Sequence, residues 1–283
     1  MNKFEIFADS SQDFTFELAE QENIIFFPYY LSMGDNDYKD QVEMDNVRFY
    51  KTIKQYEKLS TGTPPSQEVL DKIEELKAQG ATRALAVTSS ADITGMANLY
   101  ESINQMVEGF EIVIIDTGNI GAAVALATLE ASRLRSQGNT IEEIKPLIEK
   151  YIKNLDIFAI FRELEYLVKG GRMNAVKAAI GGFLNISPIL TVKNRVVDIL
   201  DKPRGKKKSL AKLIQIVKDR IGNSNNYSIA IFQGDNQEEF EIVREELKDY
   251  ISKAGRYIET ILTPVLGVHS GPTALGIAVM ILD

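Results

Sequence analysis

The sequence predicts an α/β protein in two parts: an N-terminal parallel-sheet domain with helices on both faces over residues 1–155, and a smaller C-terminal α+β domain over 156–283. Three observations carry that expectation. Apolar runs such as ALAVTSS (84–90) and EIVIID (111–116) do not alternate with polar residues, as befits strands covered on both faces. Helical stretches separate those runs, the order that returns one strand parallel to the last. After residue 155 the element order changes and strands no longer alternate regularly with helices.

FEIFAD (4–9) is the first strand, and it ends in Asp9, Ser10 and Ser11, residue types that cap a helix, here one expected to begin near Asp13. NIIFFPYYL (23–31) is a second strand. VRFYKTIKQYEKL (47–59) and SQEVLDKIEELKAQG (66–80) read as helices, joined by the polar loop STGTPPS (60–66). ALAVTSS runs into a hydroxyl-rich turn, followed by a helix over 95–107, the strand EIVIID, an alanine-rich helix from 120 to 136 and a helix over 141–155. The second part opens with DIFAIF (156–161) and the helix ELEYLVKG (163–170), then the pairs Gly170–Gly171 and Gly181–Gly182 and the strand ISPILTV (186–192). A helix over 208–221, the strand YSIAIFQ (227–233), a helix over 237–253 and the strands YIETIL (257–262) and IAVMILD (277–283) complete it. Part of 50–80, the polar loop included, is expected to pack on the second domain.

Of the 283 residues, 45% are hydrophobic and 25% charged, a globular balance. Cysteine is absent, which excludes disulfides, thiolate catalysis and sulfur-ligated metals. The N-terminus lacks the layout of a signal peptide and no apolar run approaches a membrane span, so a cytoplasmic protein is expected. Forty acidic and 32 basic side chains give a net charge of −8, which disfavours binding to polyanions such as nucleic acid. The basic stretch KPRGKKKSLAK (202–212) has no interleaved aromatics and reads as a solvated turn entering a helix.

In open parallel sheets, ligands meet the loops beyond the carboxyl ends of the strands. Four loops fit that place: Asp9–Ser11, STGTPPS with Thr61 and Thr63, SSADITG with Ser89, Ser90, Thr94 and Gly95, and DTGN (116–119). Hydroxyls together with helix-end amides suit a carboxylate or phosphate, although a serine or threonine before a helix is also an ordinary cap. The chain has no GxGxxG, no GxxxxGK[ST] and no GxSxG, which disfavours nucleotide binding and serine hydrolysis. One histidine cannot build a multi-histidine metal site. That residue, His269 in GVHSGP, precedes a tight Gly-Pro turn, and Arg172 follows two glycines that permit close backbone approach or positive φ. Arginine there offers a planar fork for an oxyanion.

The chain resembles the DegV family of bacterial fatty-acid-binding proteins, essentially from end to end. The marks are FADSS (7–11), TGTPPS (61–66), SSADITG (89–95), IDTGN (115–119), LEYLVKGGR (164–172), LNISPIL (184–190) and GVHSGPTALG (267–276), in order and across both parts. The resemblance implies a ligand site between the domains that holds one long-chain fatty acid such as palmitate, stearate or oleate, its tail in an apolar tunnel and its carboxylate at a polar end. It implies no cofactor, no metal and no catalysis by the chain itself, with a separate ATP-dependent kinase phosphorylating the bound carboxylate. By match to the family's motifs, Thr61, Ser90 and Gly95 are the expected ligand contacts, supported by Thr63, Ser89 and Thr94. Arg172 and His269 are expected near the headgroup or the partner. Gly62, Thr63, Pro65, Thr94 and Met96 depart from the family's usual residues, so headgroup recognition is expected to differ in detail. An acyl- or phosphate-transfer enzyme and a binder of another amphipathic carboxylate remain the alternatives.

Overall fold

A computed structural model describes residues 4–171 and 187–283. The N-terminal half supplies strands β1 (Phe4–Asp9), β2 (Ile25–Phe27), β3 (Tyr30–Met33), β4 (Asn36–Lys39), β5 (Leu59–Gly62), β6 (Arg83–Thr88) and β7 (Glu111–Asp116). Four of them form a parallel sheet in the order β2-β1-β6-β7, and the other three form an antiparallel sheet in the order β4-β3-β5. The C-terminal half supplies β8 (Leu155–Ile160), β9 (Ile189–Lys193), β10 (Val196–Asp201), β11 (Tyr227–Gln233), β12 (Arg256–Ile261) and β13 (Leu275–Ile281). These make one sheet in the order β10-β9-β8-β13-β11-β12, antiparallel throughout except for the β11–β12 pair. The expected fold class is therefore the observed one.

The helix Ala122–Ser136 explains how the four-stranded and the six-stranded sheets meet. All but three of its fifteen residues are buried, and it packs against β1 and β6 on one side and β8, β11 and β13 on the other. A helix covered all round needs no polar face, and its alanines let both sheets approach closely. It starts at Gly121, whose φ of 61° and ψ of −143° lie where only glycine is at ease. Along β11, Ala230 and Phe232 belong to the core shared with this helix, whereas Ile229 and Ile231 belong to a second core under the helices Lys206–Ile221 and Gln237–Glu246. That alternation is the two-residue period of a strand buried on both faces.

Two expectations over 47–66 are corrected. The helix read over 47–59 is Asn46–Thr52 with a 3-10 turn to Gln55, and the loop read over 60–66 begins as strand β5. Pairing of Thr61 with Leu31 and Gly62 with Tyr30 overrides the local preference of that polar stretch. The run before His269 is a short helix, Pro264–Ser270, with proline at its first position, where the missing N–H costs nothing. Among the described residues, no helix is long and apolar enough to cross a membrane.

Candidate functional site

The chain leaves β1 toward β2 on one side, while β6 leads to β7 on the other, so the carboxyl ends of β1 and β6 diverge at the sheet's switch point. That crevice is filled by the protein itself. Fully buried Asp9 accepts hydrogen bonds from the Ser11 N–H at 2.9 Å, from the Ser11 hydroxyl and from Gln12 Nε2 at 3.2 Å. Burial raises the Asp9 pKa, and those same donors pull it back. Ser11 Oγ lies 2.9 Å from Ser89 Oγ, and Gln12 continues the network to the Val87 carbonyl and the Thr128 hydroxyl.

Beside this network lies a cavity of about 370 Å³, within the size range of small-ligand pockets, roughly 300–1,000 Å³. Ile157, Phe161, Leu190, Val192, Phe232 and Leu262 supply apolar walls from the C-terminal half. Thr61, Thr63, Thr94 and Gly95 line it from the N-terminal half, and His269 and Ser270 line it from the short helix. Thr61 Oγ1 sits 2.9 Å from His269 Nε2, and which atom donates depends on the imidazole tautomer. A Cβ placed on Gly95 would lie 3.1 Å from the Thr63 methyl, so the β5 loop and the start of the helix Met96–Asn104 are in contact.

The two glycines before Arg172 have separate reasons. At Gly170, with φ near −77°, a Cβ would fall 2.0 Å from His269 Nδ1, so the missing side chain is the space that the imidazole occupies. Gly171 has φ of 71°, where glycine is favoured. Arg172 itself lies outside the described residues, as do Gly181–Gly182.

The structure thus gathers Thr61, Thr63, Thr94, Gly95 and His269 around one cavity. Ser89 and Ser90 are not among its lining residues. Ser89 pairs with Ser11, and the Ser90 hydroxyl donates to the Arg195 carbonyl at 2.7 Å and accepts from the Asp92 N–H at 3.3 Å. Ser11 and Tyr29 line the cavity without having been singled out as contacts.

Two buried carboxyl groups went unread. Asp13 accepts from the Thr263 N–H and the Thr260 hydroxyl, both at 3.1 Å, and so pins the start of the helix that carries His269. Burial pushes Asp13 up to about 6 against those two bonds. Asp40 is pushed up to about 8, chiefly by burial; the Ser10 hydroxyl and the Val265 N–H pull the other way, although neither closes to hydrogen-bonding geometry. No sequence pattern marks these residues, because their burial arises only when the short helix docks. Among the described residues, no group of three metal-ligating side chains comes together. Hydroxyls and an imidazole at the edge of an apolar cavity suit a ligand with one anionic oxygen-bearing end and a hydrocarbon body.

A family model described as "Uncharacterised protein, DegV family" matches residues 3–282. A DegV domain-containing protein of Clostridium acetobutylicum is 28% identical, over 99% of both chains. Among solved structures, DegV of Bacillus subtilis, described as a fatty acid binding protein, superposes with a TM-score of 0.90 at 24% identity over 99% of this chain and 100% of its own. A stearic acid-binding protein of Eubacterium ventriosum superposes with a TM-score of 0.85 at 20% identity over 99% of each chain.

Proposed function

The chain belongs to the DegV family, and from that premise we propose that it is a non-catalytic carrier of a long-chain fatty acid. The observation that carries this reading is the cavity with walls from both halves and a Thr61–His269 pair on its lining. Burial of hydrocarbon contributes about 0.8 kcal/mol per CH₂, so an acyl tail supplies most of the affinity. Each charge-assisted hydrogen bond to the carboxylate adds about 1.5–3 kcal/mol against the cost of its desolvation and fixes the direction of the tail. Thr61 and His269 are the leading headgroup contacts, with Thr63, Thr94 and Gly95 around them. Ser90 reaches a carboxylate only by giving up its bond to the Arg195 carbonyl, since a hydroxyl has one proton to donate.

The resemblance of the GGR and HSGP segments to the family supports a further role, in which Arg172 and His269 present the bound carboxylate to a separate ATP-dependent fatty acid kinase in the cytoplasm. Denaturing mass spectrometry of the purified protein should release a fatty acid in near-stoichiometric amount. Finding no lipid, and no binding of added palmitate or oleate, overturns the carrier reading. With a purified fatty acid kinase and ATP, acyl phosphate should form from the loaded protein. R172A and H269A should reduce that product more than they reduce lipid retention, and the reverse pattern would assign both residues to retention alone.

A further inference from the structure

We propose that the β9–β10 hairpin is the gate of the cavity and that Arg195, at its tip, is the latch that holds it shut; this rests on the cavity being the fatty-acid site. The hairpin contributes Leu190, Thr191, Val192 and Val197 to the cavity wall. Its support from the sheet is short. β9 pairs with β8 only through Ile189, Leu190 and Thr191, and β10 pairs with no strand but β9 among the described residues. The distal half, from Val192 to Val197, therefore has no sheet neighbour beyond the hairpin itself.

What holds that half is the tip. Asn194 and Arg195 have φ of 49° and 69°, the signature of a two-residue hairpin turn whose second position favours glycine. An arginine there accepts backbone strain that glycine would avoid. Its side chain crosses to the other half of the molecule. Arg195 Nε donates to Asp92 at 2.5 Å, and Nη2 donates to Asp116. The stem of Arg195 lies over Gly118, where a Cβ would come within 3.5 Å of its Cγ. The Arg195 carbonyl receives the Ser90 hydroxyl at 2.7 Å.

The receiving groups are built in advance. The Asp116 carboxylate is already held by the N–H groups of Ala91 at 3.1 Å and Gly118 at 2.8 Å. Exposed ion pairs are weak singly, and the Arg195 side chain is 45% exposed, so the contact is suited to release as well as to closure. The loops after β6 and β7 thus close the cavity wall through a bond that local motion of one hairpin can break, without disturbing the core around the helix Ala122–Ser136.

The test uses cis-parinaric acid as a fluorescent fatty-acid probe, displaced by excess oleate in a stopped-flow instrument, together with hydrogen exchange of the ligand-free protein. In R195A and R195G the probe should leave roughly 5- to 10-fold faster than from the wild-type chain, the loss expected for two exposed ion pairs, while the Ser90 bond to the carbonyl of residue 195 is kept. R195G also relieves the turn, so its faster release would show that lost contacts, not added strain, open the gate. Amides of residues 192–197 should exchange faster in both variants. Unchanged probe release overturns the gate, even where exchange at the hairpin rises. If the wild-type chain binds no probe, the carrier reading fails instead, and unchanged exchange at 192–197 in R195A then separately overturns the latch.

Discussion

Two polar clusters, one on the loops after β1 and β6 and one between β5 and the helix Pro264–Ser270, draw on similar residues and serve different ends. At the switch point, Asp9, Ser11, Gln12 and Ser89 donate and accept among themselves, and of these four only Ser11 also reaches the cavity lining. At the cavity, Thr61 and His269 meet across 208 positions of sequence, and both stay only partly buried. The first cluster is a structural joint that fills the place where open sheets usually take a ligand. The second lies on a small accessory sheet and a short helix, and the cavity beside it is completed by Thr94 and Gly95 after β6. Burial and internal satisfaction, not residue type, tell the joint from the mouth.

Substitutions should separate the two. D9A leaves the Ser11 N–H, the Ser11 hydroxyl and Gln12 without their buried acceptor and should cost about 3 kcal/mol of stability, read from urea unfolding. G170A places a methyl on the His269 ring position, so it should turn the imidazole from Thr61 and weaken oleate binding about tenfold, with little change in the urea midpoint. A midpoint loss as large as that of D9A would make Gly170 part of the joint rather than of the mouth. T61V keeps the shape of the side chain and removes its hydroxyl; a loss of about fivefold in oleate affinity at unchanged stability is expected.

The buried carboxyl groups add a dependence on pH. Asp13 and Asp40 hold their protons in the folded chain at about 6 and about 8, against an ordinary 3.8. The folded state then binds more protons than the unfolded state, so their contribution to stability is full below about 4 and is lost as pH rises toward 8. D40N removes the upper part of that slope, and urea midpoints at pH 6 and pH 8 should differ less in D40N than in the wild-type chain. The smallest effect belongs to G95A, whose methyl would press on the Thr63 methyl at 3.1 Å. A shift of the Thr63 side chain relieves it at about 0.5 kcal/mol or less, visible as a slight drop in oleate affinity.

The strands β1, β6, β7, β11 and β13 were legible because each is an apolar run closed by turn or cap residues. The strand β5 was not, since its Ser-Thr-Gly sequence pairs only because Leu31 and Tyr30 are brought beside it. The helix Pro264–Ser270 was hidden for the same kind of reason. Its glycine, Gly267, is matched to the rings of Phe49 and Tyr50, where a Cβ would come within 2.4 Å of Phe49, and that partner is set by the fold. In the site, the motifs drew attention to Thr61, Gly95 and His269, which line the cavity together. They could not show that the Ser90 hydroxyl is engaged by the hairpin, because the acceptor at Arg195 is a carbonyl that every residue carries.

The helix Ala122–Ser136 has one more consequence. Because both of its sides are apolar and each faces a different sheet, cutting the chain near residue 155 would bare one full side of it to water. Neither fragment would then be expected to persist alone. Although its strands fall into three sheets, the molecule is one mechanical unit: replacing either half would require rebuilding the surface of this helix on which the halves meet.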